Sequence, residues 1–288
     1  MSLSTIPHRV CPEDMTLGPL FYGTHFTDLY KISLANHNSG EFRTAAVKVW
    51  RHESSTTEEG RKIFRKMLNR KLKPWTTIMN HPNIEKIFGL TADTERRIPV
   101  GVIMPYRRNG NAFKYLKHNP SANFVLMLRD IASALHYMHS HNPPIVHGKI
   151  RGSNILISDE GRPLLADIGL RDLKYPSDSR YYNDPEEIRW MAQELVMDEN
   201  APIAPACDVH SFAMTALELL TLQRHHWWHR NKYAIMVEIQ KGVRPSRPDR
   251  CPQLTDNLWN LLQECWSPDP LTRSDMGSVM RRLSASSY

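Results

Sequence analysis

The chain has 288 residues, 41% of them hydrophobic and 23% charged. That composition excludes a disordered chain, and the length allows one large domain or two smaller lobes. The formal net charge is +7, but lysines and arginines are interleaved with acids and no nucleic-acid motif accompanies them, so the basic balance reads as a solvated surface.

Residues 1 to 15 carry Pro7 and Pro12 and read as a loose leader, with no signal-peptide core. Strand patterns follow over Leu17 to Gly23, Asp28 to Ala35 and Thr44 to Trp50. From Ala45 onward the last of these is apolar except for Lys48. Thr56 to Met79 predicts a helix, broken or bent near Pro74. Two more strand-like pieces are Ile84 to Leu90 and Val100 to Met104. After Asn109-Gly110 the pattern turns helical. Ser121 is a candidate N-cap, and Phe124, Leu128, Ile131, Leu135 and Met138 form one apolar stripe. Val209 to Leu222 is apolar nearly all round, which predicts a buried helix. Leu258, Leu261, Leu262 and Cys265 mark another helix, and Met276 to Leu283 a last one. Strands first and helices after predict an α+β chain of two lobes, linked near Tyr106 to Asn109.

The longest apolar runs, such as Pro99 to Tyr106, are too short to cross a bilayer. Cys11, Cys207, Cys251 and Cys265 include no C-x-x-C pair. Reduced thiols in a cytoplasmic or nuclear protein are the simplest reading.

Short motifs then recur in a specific order. They are Val47-Lys48, His81-Pro82-Asn83-Ile84, His147 to Asn154, Asp167-Ile168-Gly169, Ala192-Gln193-Glu194, Asp208-Val209, and Cys265-Trp266-Ser267-Pro268-Asp269-Pro270-Leu271-Thr272-Arg273. This series resembles the protein kinases. Its members match the strand-three lysine, the turn after the first helix, the catalytic loop, D-F-G, A-P-E, the start of the buried helix and C-W-x-x-D-P-x-x-R. His147-Gly148 and Arg189-Trp190-Met191-Ala192 resemble the tyrosine-kinase-like group of fungal kinases. The resemblance implies one kinase-like domain of two lobes, with a β-rich N-lobe over 16–106 and a helical C-lobe over 107–288.

Phosphoryl transfer needs cradled phosphates, a neutralising metal and an oriented nucleophile. Within the resemblance, the position of the proton-accepting aspartate is held by Lys149, between His147 and Asn154. An ammonium accepts no proton until it has lost one, and loss of a general base costs on the order of 10²–10⁴ in rate. The three lid glycines fall at Tyr22, Thr24 and Thr27, with Gly23 out of register and Phe26 as the aromatic tip. Side chains at those positions keep backbone amides away from phosphate. Lys48 matches the lysine that grips the α- and β-phosphates, but the helix glutamate that holds it falls at Lys71. Two like charges in contact repel by about 4 kcal/mol at an effective dielectric of 20. Glu58 and Glu59 lie more than two helical turns away and are poor substitutes.

Other matched positions survive. Asn154 and Asp167 match the two magnesium ligands. An alternative for this pair is structural, with Asn154 bonding the loop backbone and Asp167 neutralising Lys48 or Lys149. Met104 and Tyr106 fall at the back of the adenine pocket and in the hinge Pro105 to Arg107. Glu194 and Arg273 match a buried ion pair, and Asp208 a residue that ties the buried helix to the catalytic loop. The arginine that reads activation-segment phosphates is replaced by Gly148, so Ser177, Ser179, Tyr181 and Tyr182 read as packing or surface residues. Asp172 and Asp178 lie further along that segment, and nothing places either at a substrate hydroxyl. The run His225-His226-Trp227-Trp228-His229 fits no standard zinc spacing, and its tryptophans read as packing or a partner patch.

These residues point to a pseudokinase that works as a protein-interaction or allosteric module, with a protein partner that includes an active kinase among the candidates. A slow, atypical kinase or ATPase using ATP and Mg2+ through Lys48, Asn154 and Asp167 is the alternative. A third reading is a metal-independent anion-binding domain built on Lys48, Lys149 and Arg151.

Overall fold

A computed structural model describes residues 15–23, 27–35, 42–50, 57–91, 100–168, 170, 187–198, 200–223, 231–249 and 251–285. The chain divides into two compact units, 1–80 with 85–107, and 81–84 with 108–288.

The first unit is a five-stranded antiparallel sheet carrying one helix. Its elements are β1 (Met15–Gly23), β2 (Thr27–Ala35), β3 (Phe42–Trp50), α1 (Glu58–Ile78), β4 (Gly89–Leu90) and β5 (Gly101–Pro105), in the sheet order β1-β2-β3-β5-β4. Period-two alternation along β3 puts Ala45, Val47 and Val49 on one face, where they pack with Ile32, Leu34 and Ile103. Ala46, Lys48 and Trp50 point the other way. The Trp50 ring meets Phe64 of α1 edge-on at 5.8 Å, which seats the helix on the face that carries Lys48. Register sets Lys48 opposite Leu29 on β2 and Val102 on β5. β5 comes so close to β3 that a Cβ on Gly101 would lie 2.6 Å from the Lys48 carbonyl oxygen.

Thr57 caps α1 by accepting a hydrogen bond from the Gly60 amide at 3.1 Å, with Glu58 and Glu59 in the first turn. Phe64, Leu68, Leu72 and Trp75 form its buried stripe. The helix continues through Pro74 to Ile78, so of the break or bend expected there the break does not occur. The buried Trp75 holds the last turn by donating its indole N–H to the Glu85 carbonyl at 2.8 Å. The strand expected over Ile84 to Leu90 reduces to Gly89–Leu90, because the buried carboxylate of Glu85 turns to Arg107 instead of following the sheet.

The second unit is helical. It contains α2 (Ala112–His118), α3 (Phe124–His139), the hairpin of β6 (Ile155–Ile157) with β7 (Pro163–Leu165), α4 (Gln193–Met197), α5 (Pro205–Thr221), α6 (Lys232–Gln240), α7 (Asp256–Cys265) and α8 (Met276–Ala285). The cap of α3 is Asn123 and not Ser121; its side-chain oxygen accepts from the Leu126 amide at 2.9 Å. α5 starts at Pro205, ahead of the expected Val209, because proline suits the first helical position, where an amide N–H has no partner to lose. Its residues from Cys207 to Leu219 are buried except Ser211.

Candidate functional site

In the first unit, Lys48 is half-buried on β3 with its ammonium 5.9 Å from the Trp50 ring centre. Met104 on β5 is buried and pairs with Ala46. Tyr106 follows the end of β5. Phe21 of β1 meets its ring edge-on at 5.3 Å, and Lys31 of β2 lies 5.0 Å from its centre. Lys71 is half-buried on α1, three residues after Leu68 and four before Trp75, so a cation occupies the inward stripe of that helix. Glu58 is at the far end of α1 and pairs with Lys62 at 2.7 Å. Thr24 and Phe26 lie outside the described residues, as do Asp172, Asp178, the four candidate phosphosites and the run His225 to His229.

A buried ion pair outside the kinase-like motifs also belongs to this unit. Glu85 is fully buried and takes two hydrogen bonds from the Arg107 guanidinium, both at 2.7 Å. A carboxylate within the apolar run Ile84 to Leu90 was the available signal, since a buried acid needs a partner.

In the second unit, Asp208 sits at the root of the catalytic-loop segment. Its Oδ2 accepts from the His147 amide at 2.7 Å and faces His139 Nε2 at 3.0 Å. Its Oδ1 accepts from the Gly148 amide at 2.8 Å. Gly148 has φ of +74°, a left-handed conformation that glycine takes without a Cβ penalty. The His147 ring is fully buried and accepts from the Lys149 amide at 3.2 Å. Burial pushes its imidazole below the ordinary histidine range, against the pull of the Asp208 and Asp167 charges, so the ring is neutral.

Lys149 leaves this root and forms an ion pair with Glu187, from the short 3-10 turn Glu187–Trp190. The same Glu187 oxygen lies 3.7 Å from the Arg151 guanidinium. Lys149, Arg151 and Glu187 line a pocket walled by Trp190, Met191 and Leu195. The pocket floor is also tied down. Glu218 of α5, itself buried, accepts from the Gly152 amide at 2.9 Å and the Trp190 indole N–H at 3.1 Å.

Asn154 donates its side-chain N–H to the Lys149 carbonyl at 2.9 Å, and its own carbonyl accepts from the Ala166 amide at 3.0 Å. Asp167 follows directly, buried, with φ of +65°, a region where Asp is several-fold enriched among non-glycine residues. The loop thus brings Lys149, Asn154 and Asp167 into one short hydrogen-bonded stretch.

Arg273 and Glu194 form a two-pronged pair at 2.7 and 2.8 Å. The arginine also donates to the Ala206 and Ser267 carbonyls, both at 2.9 Å. Burial pushes the Glu194 carboxyl up, but the Arg273 hydrogen bonds and charge outweigh it, so the group titrates below the ordinary glutamate value. Among the described residues no group of three or more His, Cys, Asp or Glu is placed to hold a metal ion, and no helix is long and apolar enough to cross a membrane.

The protein tyrosine and serine/threonine kinase family matches residues 19–283, and the chain belongs to that family. It is similar to probable serine/threonine-protein kinase qkgA of Dictyostelium discoideum, with 30% identity over 71% of this chain and 13% of the relative. It is similar to protein sevenless of Drosophila virilis, with 27% identity over 99% of this chain and 11% of the relative. A third relative is ankyrin repeat and protein kinase domain-containing protein 1 of Mus musculus, at 29% identity over 61% of this chain and 25% of the relative. The chain therefore spans a quarter or less of each of these three proteins.

Proposed function

We propose that this kinase-family domain is a pseudokinase that acts through protein contacts, in the cytoplasm, without useful phosphotransfer. The observation that carries this reading is the Lys149–Glu187 ion pair. The position that must accept a proton holds a cation, and that cation is engaged by a carboxylate from another segment. Supporting it, Lys71 occupies the stripe of α1 where an acid would hold Lys48. The Glu194–Arg273 pair and the Asp208 network, by contrast, retain the hydrogen bonds of a folded scaffold. Scaffold kept and reaction centre changed is the pattern of a domain selected for shape.

The retained Asn154 and Asp167 favour a second reading, a slow ATP- and Mg2+-dependent enzyme. Both are hard oxygen donors, and because Asn154 commits its N–H to the Lys149 carbonyl, its amide oxygen is the atom left to face a cation. These two residues would hold a magnesium ion that neutralises phosphate charge.

Thermal unfolding with ATP, with ATP and magnesium, and with phosphate alone separates the readings. A ligand at 100 times its dissociation constant adds about 2.7 kcal/mol. The pseudokinase reading expects no magnesium-dependent shift. Such a shift, abolished by Asp167→Asn, supports the second reading.

A further inference from the structure

Charge is unevenly divided along the chain. The first unit holds 16 lysines and arginines against 10 aspartates and glutamates, and the second 21 against 20, so +6 of the net +7 belongs to the first. Helix α1 concentrates it, with seven cations and two acids. Both acids, Glu58 and Glu59, sit in the first turn, and from Gly60 to Ile78 there is none. The buried stripe of Phe64, Leu68, Leu72 and Trp75 takes the inward side. Lys62, Lys66, Arg70 and Lys73 are exposed on the opposite side at steps of four, four and three, a row about 16 Å long. Glu58 neutralises Lys62 at 2.7 Å. Lys66, Arg70 and Lys73 have no acidic partner among the described residues. Like charges at this spacing repel, so the row costs the isolated helix stability that a facing row of acids would return. Along one border of the row run Ile63 and Pro74, both exposed, with the half-buried Met67 between them.

Resting on the reading that this domain works through protein contacts, we infer that the outer face of α1 docks an acidic amphipathic helix of a partner protein. Carboxylates of that helix pair with Lys66, Arg70 and Lys73, and its apolar residues lie on Ile63, Met67 and Pro74. Charge complementarity and a shared helical repeat select this occupant, as flanking charges do in coiled coils. An anionic bilayer is met by a broad apolar face, and the apolar face of α1 is turned inward. A nucleic-acid strand is held by stacking rings beside its phosphates, and the aromatic residues of α1, Phe64 and Trp75, are buried.

The test is fluorescence anisotropy of the intact chain with two labelled helical peptides. The matched peptide has glutamates on one face at the same steps and leucines on its flank; the scramble has the same composition without the row. The matched peptide is expected to bind about tenfold more tightly than the scramble. Lys66→Glu with Arg70→Glu is expected to weaken it by about tenfold, since two attractive contacts become repulsive, and Ile63→Ser by a smaller factor. Lys117→Glu, at an exposed lysine of α2, is expected to leave binding unchanged. Equal binding of the scramble, a double reversal that binds like wild type, or an equal loss with Lys117→Glu overturns the proposal. Tighter binding to phosphatidylserine vesicles or to a uridine oligonucleotide than to the matched peptide overturns the protein occupant. If the double variant does not fold, Lys66→Gln and Lys73→Gln decide the matter, since each must weaken the matched peptide. Binding is read without ATP and no catalytic-loop residue is changed. Failure here therefore leaves the loss of phosphotransfer standing, and phosphotransfer detected elsewhere leaves this surface standing.

Discussion

Arg273 ties several segments of the second unit together. It closes a two-pronged pair with Glu194 and satisfies two backbone carbonyls. Removing one partner of a buried pair costs about 3–5 kcal/mol, so Arg273→Ala is expected to lose that much in denaturant unfolding. Arg273→Lys should recover less than half of the loss, because an ammonium cannot reproduce the planar fork. A loss under about 1 kcal/mol, the level of a surface pair, would contradict the assignment. His210 lies behind this pair on α5. Burial, then the Arg273 and Arg244 charges, push its imidazole down to about 3, and its Nδ1 has no hydrogen-bond partner. The neutral form is the folded form. Stability is therefore full above the ordinary histidine value near 6.5 and falls as pH drops from there toward 3, by about 1.4 kcal/mol per pH unit for each such group. His147 is depressed in the same direction and adds to the slope. His210→Phe is expected to make the loss between pH 7 and 5 shallower by about one proton, read from denaturation midpoints; parallel slopes for variant and wild type would refute this.

Strand β3 and helix α1 place the cations of the first unit, and both were largely legible in the sequence. The run from Ala45 to Trp50, apolar except for Lys48, marked β3, and Thr56 to Met79 marked α1; the two faces of β3 and the stripe beside Lys71 emerge only in the fold. Their close approach is testable at Gly101, where a Cβ would meet both the Lys48 carbonyl and the Val49 side chain. Gly101→Ala is expected to destabilise the chain by about 1–3 kcal/mol, as overpacking does. A thermal midpoint unchanged from wild type would show that β3 and β5 part freely. Other boundaries could not be read locally. Ser121 and Asn123 are equally good cap residues, and only the hydrogen bond to Leu126 decides between them. Pro74 reads as a breaker until the buried indole of Trp75 is seen holding the last turn. Glu85 was absorbed into the strand expected over Ile84 to Leu90 because its partner, Arg107, is distant in sequence.

At the scale of the whole molecule, the chain has the α+β, two-lobed fold of the kinase family, and the motif order that announced it spans both units. The pairing of Lys149 with Glu187 was not legible, since the turn that carries Glu187 meets the catalytic loop only after folding. The motif match sets Lys149 between His147 and Asn154; the structure adds that a carboxylate from another segment pairs with it. That pairing makes the central claim sharp. The most direct test is transfer of labelled phosphate from ATP, with magnesium, to the chain itself and to a generic protein acceptor, run beside Asp167→Asn. The expected result is incorporation no greater than in Asp167→Asn. Transfer that depends on Asp167 would contradict the pseudokinase reading and establish a working kinase with a lysine where its base should be.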